Sequence, residues 1–215
     1  INNYLQNIDF KKNLRNFVIK NPSGNHAICA GLKEDISVNI KGHVGYYCGG
    51  MNQNAKITIE GNAGTGLGEN MMSGLIHVKG NVSQSAGATA HGGTIIVDGN
   101  ASSRCGISMK GVNIIIKGSV GHMSAFMAQS GNLLICGDAG EALGDSIYET
   151  VIYIAGKPKS LGADCVEKNI TKNDLIKIEE LLNIGNIKKI KSSKFKKYGS
   201  ARKLYNFKID NVSEY

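Results

Sequence analysis

The pentapeptide VNIKG (residues 38–42) decides the fold, because its pattern returns along the chain at a fixed interval. Apolar residues lie four and two positions before a glycine, as in a short strand with one buried face. The equivalent pentapeptides are ITIEG, IHVKG, IIVDG, IIIKG, LLICG and IYIAG, ending at Gly61, Gly80, Gly99, Gly118, Gly137 and Gly156. Each of these anchor glycines follows the previous one by 19 residues without an insertion. Such self-similarity predicts a solenoid with one structural unit per repeat.

One coil per 19 residues, with β-branched strands and glycine corners, predicts an all-β, parallel β-helix of about seven to eight coils. The period and the glycine corners favour a right-handed helix. Stacked coils lie about 4.8 Å apart, so equivalent residues should form ladders along the solenoid. The row before the anchor glycine tests this, because opposite charges should alternate on adjacent strands. That row reads Lys41, Glu60, Lys79, Asp98 and Lys117.

The loop GNAGTGLGEN (61–70) follows a strand and is rich in glycine, which invites comparison with a phosphate-binding turn. Such a turn occurs once and opens an α-helix, whereas this loop recurs and opens another strand. The row seven residues after the anchor glycine is glycine or alanine in every coil. This favours a corner that needs positive φ or a close approach of backbones over a nucleotide site.

Four segments are predicted along the chain. Residues 1–34 form an entry segment with an irregular first coil, and residues 35–167 form the parallel β-helix. Residues 168–187 contain a helix that begins after Thr171, has Asp174 in its first turn and ends at Gly185, and we expect it to cap the last coil. Residues 188–215 form an extended basic tail whose charges and aromatic residues suit docking on a partner.

Composition limits the cellular context and the kind of partner. The net charge of +8 resides at the C-terminal end, where residues 168–208 hold 12 Lys or Arg and 3 Asp or Glu. Such a tail suits an acidic protein surface, and without the aromatic–basic pattern of a known RNA or DNA module we expect no nucleic acid partner.

The 5 cysteines form no C-x-x-C pair, and we expect a reducing, cytoplasmic location. No apolar run is long enough for a membrane span, so we expect no membrane partner.

Candidate chemistry is sparse. The histidines share no row, so each is expected to be structural, with His77 on the solvated face of its strand. Cys29 and Cys48 share a row on adjacent coils and are expected to be core residues. Asp145 and Asp164 also share a row and are the best enzymatic candidate, since β-helix enzymes that cleave polysaccharides use clustered carboxylates. We therefore expect no catalytic residue, no cofactor site and no metal site in this chain, with a free-standing carbohydrate-active enzyme as the rival interpretation.

Longer blocks carry a family resemblance. They are SQSAGATAHGGTIIVDGNASSRCGISMKG (83–111), GHMSAFMAQSGNLLICGDAGEALGDSIYE (121–149), KSLGADCVE (159–167) and YGSARKLY (198–205). They resemble the stand-alone GXGXG proteins, which are similar to the C-terminal β-helix domain of glutamate synthase, and most closely the small subunits of N-methylglutamate synthases. Other GXGXG chains serve glutamate synthase itself or formylmethanofuran dehydrogenase.

The resemblance implies a hetero-oligomer in which this chain is a non-catalytic scaffold. One partner would resemble a class II glutamine amidotransferase, and another the glutamate synthase core that carries FMN and an iron–sulfur cluster. The complex would convert methylamine and glutamate to N-methylglutamate and ammonia. With the basic tail as the docking segment, Tyr198, Arg202 and Tyr205 are the expected partner contacts.

Overall fold

The computed structural model describes residues 1–7 and 15–202 and shows a stack of parallel strands. Neighbouring strands pair in register, so that Ile57 lies beside Ile76 and Ile76 beside Ile95. This confirms the parallel β-helix, while its right-handed sense stays a prediction. The parallel strands are β1 (Asn16–Lys20), β2 (Ser37–Lys41), β3 (Lys56–Ile59), β4 (Leu75–Val78), β5 (Thr94–Val97), β6 (Lys110–Ile116), β7 (Ser130–Ile135) and β8 (Val151–Ile154).

Strand β1 lies within residues 1–34, where the sequence predicts an entry segment with an irregular first coil. Asn16 pairs with Ser37, an interval of 21 rather than 19 residues, which is why the fixed period does not detect it. Asn21 occupies the place of the anchor glycine and has a φ of 54°. Asparagine tolerates this left-handed conformation better than most residues. The short helix α1 (Asn2–Gln6) covers this end of the solenoid with the buried side chain of Leu5.

Inward-facing side chains of successive coils fill the solenoid as continuous ladders. Ile40, Ile59 and Val78 have no exposed surface, and the residues two positions before them are buried as well. The side chains six residues after the anchor glycine are buried as well, as in the fully buried Cys48, Leu67 and Ala86. Each fully buried aliphatic side chain contributes about 1.5–3 kcal/mol, so the repeat supplies much of the stabilisation on its own. The interior of the described coils is therefore a packed core.

The anchor glycines are required by a side-chain ladder along one corner. In six successive coils, the side chain of the residue after the anchor glycine accepts a hydrogen bond from the equivalent backbone N–H of the next coil. Asn81 N donates to Asn62 Oδ1 at 2.8 Å, and Asn100 N donates to Asn81 Oδ1 at 2.7 Å. A Cβ on Gly99 would collide with Asn81 Oδ1. Close approach therefore fixes glycine here, and the ladder continues through His43, Asn62, Asn81, Asn100, Ser119 and Asp138.

The loop at residues 61–70 shows how another corner of the coil is built. Gly66, Gly68 and Asn70 all have positive φ, at 72°, 63° and 55°. Because left-handed residues occur at every second position, their backbone N–H groups point in turn to the following coil and to the preceding coil. Gly66 N donates to Gln84 O in the following coil, and Gly68 N donates to Cys48 O in the preceding coil. The glycines of this loop thus pair coils with each other, which agrees with their structural interpretation.

Helix α2 (Lys172–Ile184) confirms the predicted helix but lies elsewhere than expected. It starts at the N-cap Thr171 and ends at Gly185, as its local signals indicate. Instead of covering the open end of the last coil, it packs on the outward face of the sheet. Its buried residues join a second core with the outward side chains of four successive coils. These residues are Ile178, Leu181 and Leu182 of the helix and Ile96, Ile115, Leu134 and Tyr153 of the sheet.

The C-terminal end of the solenoid is closed by two antiparallel pairings. Strand β9 (Cys165–Lys168) does not pair with β8, because β10 (Lys196–Ser200) lies between them and is antiparallel to both. Tyr198 of β10 is 3% exposed and joins the solenoid core. Part of the segment predicted as an extended tail therefore forms strand β10, which performs the end-capping that the sequence analysis assigns to the helix.

The corner ladder predicts that Gly99→Ala destabilises the protein by about 2–4 kcal/mol, because the new methyl group displaces the Asn81 side chain and breaks its hydrogen bond. Urea denaturation followed by circular dichroism measures this free energy of unfolding.

Gly199→Ala is the matched control, since its nearest neighbours to an added Cβ lie 3.7 Å away. We expect that substitution to leave the stability within about 1 kcal/mol of the wild type. Equal effects of the two substitutions would contradict the ladder as the reason for the anchor glycine.

Candidate partner interface

Two predicted interface residues lie in the described part of the chain. Tyr198 is buried and donates a hydrogen bond to Glu167 Oε2 at 3.1 Å, and burial raises the pKa of its hydroxyl to about 12. It is a core residue of the closing strand, and its contact with a partner stays a prediction. Arg202 is exposed and forms an ion pair with Asp164 at 2.5 Å. The third predicted contact, Tyr205, lies outside the described residues.

The lysines before Tyr198 are held at the surface by apolar residues that alternate with them. Ile187 and Ile190 pack against the second core, and Phe195 is buried in it at 3% exposed. With these side chains on the sheet, the lysines between them are exposed to solvent. They are Lys188, Lys189, Lys191 and Lys194. None of these four forms an ion pair with another described residue, so their charges are available to an acidic partner.

Asp174 fixes the position of this basic segment by joining helix α2, the sheet and β10. Its carboxylate accepts hydrogen bonds from the Tyr153 hydroxyl at 2.8 Å and from both the backbone N and hydroxyl of Thr171, at 2.8 and 2.7 Å. Lys197 Nζ forms an ion pair with the same carboxylate, at 2.8 Å from Oδ1 and 2.9 Å from Oδ2. Burial raises the pKa of the Asp174 carboxyl, but the hydrogen bonds from Lys197, Thr171 and Tyr153 outweigh it and hold the pKa well below its usual range.

A cavity of about 450 Å³ lies between the basic segment and the sheet. Lys117 and Cys136, which occupy the row before the anchor glycine on adjacent coils, line one side of it, and Lys188 and Lys189 line the other. Cys136 is half-buried, whereas the other 4 cysteines are buried. Burial raises the pKa of its thiol to about 11, although the charge of Lys117 opposes the shift. The sequence interpretation assigns no role to this cysteine, because nothing local connects it to lysines fifty residues away in the chain.

The two carboxylates of the rival enzyme interpretation are occupied by contacts within the chain. Asp164 pairs with Arg202, as described above. Asp145 Oδ1 accepts a hydrogen bond from the Ser146 hydroxyl at 2.8 Å. Both side chains therefore stabilise the last coil and its connection to the closing strands. Among the described residues, no observation favours a carbohydrate site there.

The alternating charges before the anchor glycines form ion pairs, as the stacking model predicts. Lys41 Nζ lies 2.5 Å from Glu60, and Lys117 Nζ lies 2.7 Å from Asp98. His77 departs from the prediction that it is solvated, because its Nε2 lies 2.9 Å from Asp98 and its side chain is 20% exposed. The outward histidine thus belongs to the charge ladder.

Within residues 1–7 and 15–202, no three His, Cys, Asp or Glu side chains are grouped so that they could hold a metal ion. None of the helices in the same ranges is long and apolar enough to cross a membrane.

Comparison with known proteins identifies a family and a relative. A family model described as the GXGXG motif matches residues 18–209, which is most of the chain. Protein GlxC of Rhizobium meliloti (strain 1021) is 53% identical over 74 residues, an alignment that covers 34% of this chain and 32% of that protein. The matched segment thus spans about a third of the length of this curated relative.

The geometry around Asp174 predicts that Asp174→Asn destabilises the attachment of α2 and β10 by about 3 kcal/mol, because Lys197 loses its buried counter-charge. The depressed pKa of Asp174 means that this stabilisation is complete above the unfolded-state pKa and is lost as the pH falls. The difference in stability between wild type and variant should therefore shrink below about pH 4.

Hydrogen exchange by mass spectrometry measures the local opening of α2 and β10 at each pH. Glu180→Gln is the control, because its pair with Lys177 lies on the exposed face of the same helix. A difference that is independent of pH between 7 and about 3, or a control that opens α2 equally, would contradict the role of Asp174.

Proposed function

Because this chain belongs to the GXGXG family, we propose that it is a non-catalytic scaffold subunit of a glutamate-synthase-like complex. The match to the family model over most of the chain is the observation that carries this proposal. The relation to Protein GlxC over a third of the chain is consistent with it.

The geometry supports a scaffold role because the most conspicuous polar residues are used to hold coils together. The asparagines of the corner ladder accept backbone N–H groups of the next coil, as Asn62 does from Asn81. The charges of the outward row pair with one another, as Lys117 does with Asp98. A rigid rod of this kind can set a fixed distance between partner chains, since each coil contacts its neighbours through the same contacts.

The finer proposal is that the complex is an N-methylglutamate synthase. In it, methylamine would replace the amino group of glutamate, giving N-methylglutamate and releasing ammonia. FMN and an iron–sulfur cluster would reside on a synthase-like partner chain, and a second partner would resemble a class II glutamine amidotransferase. A role in glutamate synthase itself or in another GXGXG complex is the alternative. The substrates that the purified complex requires would distinguish these alternatives from N-methylglutamate synthase.

The test is affinity purification of the full chain with a terminal tag from its native host, with mass spectrometry of the co-purified chains. We expect a synthase-like and an amidotransferase-like chain at a constant ratio to the tagged one. After dissociation of the complex, flavin and iron should follow the synthase-like chain. Methylamine-dependent formation of N-methylglutamate by the intact complex would identify the reaction.

Two results would contradict the proposal. One is purification of the tagged chain without either large partner at low ionic strength. The other is retention of flavin by the tagged chain after the partners are removed. Formation of glutamate from glutamine, 2-oxoglutarate and an added two-electron reductant, without use of methylamine, would support the coarser proposal and overturn the finer one.

A further inference from the structure

The lysine groove is the surface that the structure leaves open beside the basic segment. It consists of the cavity lined by Lys117 and Cys136 and a second cavity of about 420 Å³ lined by Ala155. Lys117, Cys136 and Ala155 occupy the same row on three successive coils, so the two cavities adjoin along the solenoid. Coil spacing places Lys117 and Ala155 about 10 Å apart. The groove can therefore receive several residues of an extended chain.

The charges of the groove are strongly one-sided. Four lysines that line it form no ion pair with any described residue, and these are Lys157, Lys188, Lys189 and Lys194. Asp138 is the acidic residue among its described lining residues. One oxygen of that carboxylate already accepts the backbone N–H of Lys157 at 2.8 Å. The groove thus has a surplus of unpaired positive charge at its rim, which favours an acidic ligand.

The floor of the groove is apolar. Ile187 and Ile190 line the first cavity together with the half-buried Cys136, and Ala155 lines the second. A small inorganic anion would leave this floor exposed to water, whereas apolar side chains would cover it. An extended segment places alternate side chains on opposite sides, so acidic and apolar residues in one segment can meet the rim and the floor together.

We propose that the lysine groove binds an extended segment of a partner chain in which acidic residues are interspersed with apolar ones. This inference rests on the proposed function, because it takes the occupant from the same complex. Tyr198 also lines the second cavity but is only 3% exposed, so the lysines and the apolar floor would provide most of the contact. Single-stranded nucleic acid suits the groove less well, because such ligands stack on exposed aromatic rings and Phe195 and Tyr198 are buried.

The first experiment is the triple variant Lys188→Glu, Lys189→Glu, Lys194→Glu in the tagged chain, purified from the native host. We expect the variant to lose a partner chain that the wild type retains, with a decrease in affinity of about tenfold or more. The control is Lys33→Glu, Lys56→Glu, Lys110→Glu, which changes the net charge equally at exposed lysines elsewhere. Both variants alter exposed side chains, and circular dichroism verifies their folding.

The outcomes separate this inference from the proposed function. A wild-type chain that purifies without partners defeats the proposed function. If the wild type and the groove variant retain the partners equally, the proposal that the lysine groove binds a partner segment is wrong. The same loss of a partner in the control variant also contradicts the proposed role of the groove, because the overall charge of the chain would then explain the binding.

The second experiment uses the purified full chain and a peptide of about 12 residues in which Glu and Leu alternate, so that an extended conformation places all Leu side chains on one side. The readout is alkylation of Cys136, the half-buried cysteine on the floor, followed by mass spectrometry. The peptide should slow this alkylation, and a version with Ser in place of Leu should do so at least about fivefold less well, because it cannot cover the apolar floor. Absence of protection by the Leu peptide, or equal protection by a single-stranded oligonucleotide, contradicts the proposal.

Discussion

The structure depends on a close approach that a side chain at the anchor position would prevent. Where Gly99 meets the preceding coil, the space that a Cβ would fill holds the amide oxygen of Asn81, which binds the backbone N–H of Asn100. This contact fixes the register of each coil on the one before it. The burial of the inner ladders and the alternation of outward charges both follow from that register, because a shift of one residue would turn them to the wrong face.

The same register determines where the rest of the chain can bind. The outward row three residues before the anchor glycine changes from polar residues, such as Thr58, to apolar ones from Ile96 onwards. Helix α2 covers that apolar half, and Asp174 ties the helix to Tyr153 and Lys197. The chain then returns along the flank of the sheet towards β10. The lysine groove is the space left between this returning segment and the corner of the coils, so it arises from the way in which the helix is attached.

The repeat could be predicted from the sequence because each coil repeats the same local signals, and α2 could be predicted from Thr171, Asp174 and Gly185. The corner ladder was missed because Asn81 is read as an ordinary turn residue until the next coil is placed against it. The position of α2 on the outward face could have been predicted from the run of apolar residues in the outward row from Ile96 to Tyr153, which needs a cover. Strand β10 had none, since the lysine-rich KKYGS (196–200) forms a strand through pairing with β8 and β9. Tertiary contacts decide such segments, and so the folded tail and the groove could not be foreseen.

The central claim is that this chain organises a complex without contributing chemistry of its own. A cryo-EM map of the complex purified from its native host tests it most directly. The account predicts an extended segment of a second chain in the lysine groove, with carboxylates near Lys188 and Lys189, and flavin density within a partner chain. Flavin or substrate density bound by the coils of this chain, with the groove open to solvent, would contradict the account.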